Sequence, residues 1–274
     1  MLRCCFRALA TLLFFAGASG AFAHEFWMLP DPFEAAPGST VNLSLFVGQD
    51  FSGEQVGISA PLVADFRHYA AGAAADLKGQ APANTAVGSV AVRLARAGTH
   101  LLAMDSHPSA LELPADKFKA YLELEGLQDI IDARERAGTS SLPSRERYRR
   151  NIKTLIHAGG QNDATYSTRT GQRLEIVPLQ DPAMARIGTP AGFQVYFDAR
   201  PLSGALVKFW NRSGGELVAL NQRTDGQGKV NIALPKAGVW MVSLVHMIAT
   251  TDSTEFDWDS YWGNLTFALR PQPL

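Results

Sequence analysis

The segment TDGQGKVNIALPKAGVWMVSLV, residues 224–245, decides the fold class. Asp225-Gly226-Gln227-Gly228 has turn chemistry: the aspartate can accept from nearby backbone amides, and the glycines tolerate left-handed backbone angles. KVNIAL then alternates, with Val230, Ile232 and Leu234 on one side. Ala237-Gly238 turns the chain again, and VWMVSLVH follows as a run rich in β-branched and aromatic residues. Short strands joined by short turns predict antiparallel pairing.

The same grammar extends through the C-terminal half. Strands are predicted over 193–197, 206–211, 216–220 and 264–269, with turns at Pro201-Leu202-Ser203-Gly204 and Ser213-Gly214-Gly215. The pattern resembles small prealbumin-like, Cna-B-like or Ig-like sandwiches, which is a statement about fold and not about function. Asp181 begins a Pro- and Gly-punctuated stretch over 181–190 that reads as a linker. Ahead of it, TVNLSLFV (40–47), SVAVRL (89–94) and THLLAMD (99–105) read as strands, 56–66 as a strand pair, 70–86 as a loop and QRLEIVPL (172–179) as a strand.

Between these lies a change of period. Phe118, Tyr121 and Leu122 repeat at helical spacing after Pro114, and Leu127, Ile130 and Ile131 make a second stripe. Ser144 can cap a third helix whose face carries Tyr148, Ile152, Leu155 and Ile156, ending at Gly159-Gly160. Arg145, Arg147, Arg149, Arg150 and Lys153 fall on that segment, as a solvated face or as a docking patch for an acidic partner. The expected architecture is mainly β: one sandwich over 24–180 with a helical insertion near 114–158, and a second over 181–274.

Residues 1–23, MLRCCFRALATLLFFAGASGAFA, read as a secretory signal. Arg3 and Arg7 form the basic region, an apolar run follows, and Ala21-Phe22-Ala23 supplies small residues at the cleavage site. Removing it leaves 251 residues and moves the formal charge from -1 to -3. It also removes Cys4 and Cys5, the only cysteines. The mature chain is therefore expected in the periplasm, without disulfides and without a membrane span.

Composition narrows the function classes. At 46% hydrophobic and 19% charged residues the chain has enough apolar content for packed cores, and its charge balance offers no basic field for nucleic acid. No G-x-S-x-G elbow, P-loop, H-E-x-x-H or dinucleotide fingerprint occurs.

Processing after Ala23 would make His24 the first residue. Its free α-amine, with an unperturbed pKa of ~8, and its imidazole Nδ1 can close a chelate ring on one ion. A second histidine would complete a planar three-nitrogen set, the histidine brace, which suits copper or nickel. The candidates are His68, His100, His107, His157 and His246. His100 and His246 fall in strand patterns, His107 at a strand end, and His157 at the end of the third predicted helix. Spacing alone selects none of them.

Asp252, Glu255, Asp257 and Asp259 form an acidic cluster, read as a solvated loop or as oxygen ligands for a hard cation. Trp258, Tyr261 and Trp262 beside it either cover a sandwich end or offer a carbohydrate platform.

Several collinear motifs carry a wider resemblance: AHEFWMLP (23–30), AGTHLLA (97–103), KFKAYLELEGL (117–127), RYRRNIK (147–153), GQRLEIVPLQDP (171–182), GVWMVSLVHM (238–247) and DWDSYWGNLTF (257–267). In these the chain resembles a bacterial exported family of unknown-function domains often labelled as the periplasmic component of nickel or cobalt ABC transport. The resemblance implies metal residues at His24 and His246, with His100 at a more permissive position. It also implies a glycine in the hairpin where this chain has Asp198-Ala199-Arg200-Pro201. The expected function is a periplasmic metal-binding protein, an accessory of nickel, cobalt or copper uptake at an inner-membrane transporter. The alternatives are an oxidative copper-brace enzyme and a metal-free module binding carbohydrate or protein.

Overall fold

A computed structural model describes residues 25–82, 88–160, 162–213 and 215–271. The predicted signal and His24 lie outside them. Along the chain come β1 (Glu25–Asp31), β2 (Glu34–Ala35), β3 (Thr40–Gln49), β4 (Ser52–Val56), β5 (Val63–Ala70), β6 (Ala73–Asp76), β7 (Ser89–Arg93), β8 (Gly98–Ser106) and β9 (Ser109–Leu113). Two helices follow, α1 (Ala115–Leu124) and α2 (Gln128–Arg136). The remainder is β10 (Ser144–Ala158), β11 (Leu174–Pro178), β12 (Pro190–Phe197), β13 (Arg200–Pro201), β14 (Leu206–Ser213), β15 (Glu216–Arg223), β16 (Lys229–Ala233), β17 (Gly238–Ala249) and β18 (Trp258–Leu269).

The fold is mainly β and sandwich-like. Its centre is a ten-stranded sheet with the path β15-β14-β17-β18-β10-β8-β5-β6, to which β2 and β9 attach through β10. This sheet draws strands from both sequence halves, because β10 pairs in parallel with β18 from Glu146↔Trp258 to Thr154↔Thr266. A sheet of β1, β3, β4 and β7 covers one face. There Leu43 and Leu45 pack with Leu102, Met104, Ile152 and Ile156. A sheet of β11, β12, β13 and β16 covers the other. There Leu174 and Phe193 pack with Leu155, Leu244 and Phe267. The helical pair shares the first face, resting Phe118, Tyr121 and Leu122 on Val245, Met247 and Trp262. Burying one apolar side chain on either face is worth about 1.5–3 kcal/mol, so the covering sheets account for the core.

The third predicted helix is a strand. Residues 144–158 form β10, the middle of the central sheet, and everything from Arg150 to Ala158 is buried. A strand covered on both faces has no reason to alternate, so its apolar residues fell by chance at helical spacing. The predicted loop over 70–86 contains β6, which pairs with β5.

The hairpin linking β3 to β4 shows why glycine was needed there. A side chain on Gly48 would meet the Ser52 carbonyl oxygen at 2.0 Å, and one on Gly53 the Val47 carbonyl oxygen at 2.1 Å. The β12–β13 hairpin solves its turn without glycine: Asp198 (φ 48°) and Ala199 (φ 63°) both take left-handed angles between the paired Phe197 and Arg200. Two-residue turns that match strand twist demand positive φ at both positions. The glycine implied there by the resemblance therefore has a steric reason.

Candidate functional site

The start of β1 is clamped by side chains from four strands of the central sheet. Ser243 Oγ on β17 donates to Glu25 Oε1 at 2.7 Å, and Trp210 Nε1 on β14 donates to Ser243 Oγ at 3.0 Å. From β18, Asn264 Nδ2 donates to the Phe26 carbonyl and Thr266 Oγ1 to the Met28 carbonyl. The Arg150 guanidinium of β10 lies 3.7 Å from the Phe26 ring centroid, at cation–π distance. Glu25 Oε2 is buried and has no hydrogen-bond partner among the described residues. Burial pushes the Glu25 carboxyl up to about 7, against the Ser243 hydrogen bond and with help from Glu125. Glu125 is itself bonded to Lys208 at 2.8 Å. Sequence reasoning passed over Glu25, Ser243 and Asn264, since polar residues in strands reveal nothing of their partners across sheets.

His246 sits on the opposite face. Its β17 neighbours Leu244 and Ile248 point toward the β11–β12 sheet, and its ring meets Phe197 edge-on at 4.3 Å between centroids. Burial holds its imidazole down at about 4; Asp198 opposes this and Arg173 adds to it. The central sheet therefore stands between His246 and the clamped end of β1.

His100 is remote from His246. It pairs with Ile156 on β10, a row that meets β17 at Val239. Three strand spacings and seven residues separate the two, about 14 Å across and about 23 Å along, on opposite faces. One ion cannot be held by His24, His246 and His100 together, contrary to the sequence expectation. The spacing of strands in a line of sequence does not carry face or sheet order.

His100 instead meets His68, which the sequence did not single out. His68 Nε2 and His100 Nδ1 are 2.7 Å apart, and His100 Nε2 is 3.0 Å from the Arg96 carbonyl oxygen. That carbonyl can only accept, so His100 carries its proton on Nε2 and His68 Nε2–H donates to His100 Nδ1. Period-2 reading of FRHYA against GTHLL in an antiparallel pair would have put both rings on one face. His107 is exposed, and His157 is buried 3.3 Å from Asp181. Among the described residues no group of three or more His, Cys, Asp or Glu side chains is gathered around a metal-sized space.

The basic segment and the acidic cluster are each other's partners. Arg145 pairs with Asp257 at 2.7 Å, Arg147 with Asp252 and Asp259 at 2.6 Å each, and Arg149 with Asp259 at 3.1 Å. The arginines therefore stand along β10, and their carboxylates belong to β18 and the loop before it. Of the neighbouring aromatics, Tyr261 is 0% and Trp262 7% exposed, Trp258 is half-buried, and Trp262 stacks on Tyr121 of α1. Among the described residues no helix is long and apolar enough to cross a membrane.

The family model for a domain of unknown function, DUF4198, matches residues 21–248. No curated protein matches the chain.

Proposed function

The chain belongs to the DUF4198 family, and we propose that it is an exported carrier of a divalent transition metal, nickel, cobalt or copper, held at the N-terminal end of β1. The reading rests on one observation. The strand that begins directly after His24 in the sequence is clamped, and its first residue carries a buried carboxyl oxygen, Glu25 Oε2, without a hydrogen-bond partner among the described residues. A buried polar atom without a partner costs about 1–3 kcal/mol, and a cation placed there removes that cost.

Signal removal after Ala23 would supply the α-amine and imidazole of His24 as a chelating nitrogen pair, with the Glu25 carboxyl on the next residue of the chain. Two nitrogens leave coordination positions open, which suits an ion that must be handed on to an inner-membrane transporter rather than kept. Protons compete for both nitrogens, so affinity falls below pH 7. Titration of nickel and copper into correctly processed protein and into His24→Ala tests the reading. Loss of at least tenfold in affinity in His24→Ala supports it; equal affinity in both refutes it.

A further inference from the structure

The His68–His100 contact has a geometry that ordinary packing does not require. The ring centroids are 4.9 Å apart with 29° between planes, and the nitrogens are 2.7 Å apart. With partial-double ring bonds near ~1.33 Å, each ring atom lies about 1.1 Å from its centroid. The contact plus two such radii accounts for the whole centroid separation. The rings therefore meet head-on, nearly in plane, and the two nitrogens aim along one line.

We infer that His68 and His100 form a two-coordinate site for a soft monovalent d10 cation, Cu(I) or Ag(I), which replaces the proton shared between His68 Nε2 and His100 Nδ1. Such ions accept two nitrogens in a line, the arrangement already in place. Zinc and nickel need four or more donors, which this pair does not offer.

The surrounding groups fit. His100 Nε2–H donates to the Arg96 carbonyl, the outer hydrogen bond that fixes a ligating imidazole. His68 loses no net proton on binding: the proton on Nε2 moves to its own Nδ1, and the lone pair freed on Nε2 takes the ion. With nitrogen–metal bonds of about 2 Å, the pair opens from 2.7 Å to about 4 Å. His68 is half-buried on β5, and the residue opposite it on the short edge strand β6 is the exposed Ala75. Burial, with the neighbouring His100, pushes His68 down to about 4, and burial lowers His100 as well. Both rings are then neutral ligands at neutral pH. This site is independent of residue 24.

Silver(I) titration tests the inference in a background that removes other donors: His24→Ala and His107→Ala to remove imidazoles, and Met184→Leu to remove the exposed thioether. The background protein is expected to bind one Ag(I), and His68→Ala and His100→Gln each to weaken it at least 100-fold. His68 is half-exposed, so His68→Ala keeps the test informative if His100→Gln misfolds; circular dichroism checks both. Zinc is expected to bind at least 100-fold more weakly than silver. Undiminished silver binding in His68→Ala, no bound silver in the background protein, or zinc binding of equal strength would each overturn the site.

Discussion

Ser243 donates a 2.7 Å hydrogen bond to the Glu25 carboxyl while accepting one from Trp210 Nε1, so one hydroxyl ties β14 and β17 to the start of β1. Ser243→Ala removes both bonds and leaves a buried carboxyl and a partly buried indole N–H without them. The expected loss is about 2–3 kcal/mol in urea unfolding. A loss under ~0.5 kcal/mol would mean that the clamp contributes little.

Lys153 and Glu175 pair at 2.6 Å between the central sheet and β11, with 2% and 0% of their side chains exposed. Burial draws Lys153 below its usual range against the pull of Glu175. Burial pushes Glu175 upward, but Lys153 and Arg169 outweigh it. Lys153→Met strands a buried carboxylate beside the more exposed Arg169 and should cost about 3–5 kcal/mol. The double variant Lys153→Met/Glu175→Gln should recover part of that loss. A double variant worse than the sum of its singles would contradict the pairing.

Glu146 governs a pH dependence. It is 1% exposed beneath Tyr121 and Ser260, and burial pushes its carboxyl up to about 7 from 4.5, against their hydrogen bonds. The folded state holds this proton more tightly, so the contribution is full below about pH 4.5 and is lost as pH rises through about 7. It amounts to at most about 3 kcal/mol. Glu146→Gln resembles the protonated form. Its stability relative to the parent should therefore rise between pH 5 and 8. His68 and His246, both held near 4, act in the opposite sense and cancel in this difference. A difference that stays flat across that range would contradict the assignment.

Ala199 occupies a left-handed position at φ 63°. Ala199→Gly relieves that strain and should stabilise the protein by about 1 kcal/mol, seen as a higher melting temperature. Destabilisation would show that the turn does not hold the alanine under strain.

The strands of 224–245 were legible because the apolar residues of β16 alternate, β-branched and aromatic residues crowd β17, and glycine marks each turn. The helices α1 and α2 were legible from Phe118, Tyr121 and Leu122, and from Ile130 and Ile131. β10 was not, since burial on both faces erased its period. Its arginines looked like a free patch because their partners, Asp252, Asp257 and Asp259, lie more than a hundred residues away. Of the candidate site, the sequence offered His24, which lies outside the described residues. Glu25, Ser243 and Asn264 gain meaning from contacts between sheets, and His68 from its place opposite β8, neither of which has a local signature.

The most direct test of the metal-carrier account is the Cu(II) electron paramagnetic resonance spectrum of the correctly processed protein. The account predicts superhyperfine coupling to two nitrogens from residue 24, lost in His24→Ala and unchanged in His246→Ala and His100→Ala. A spectrum that survives His24→Ala, or that changes with His246, would contradict it.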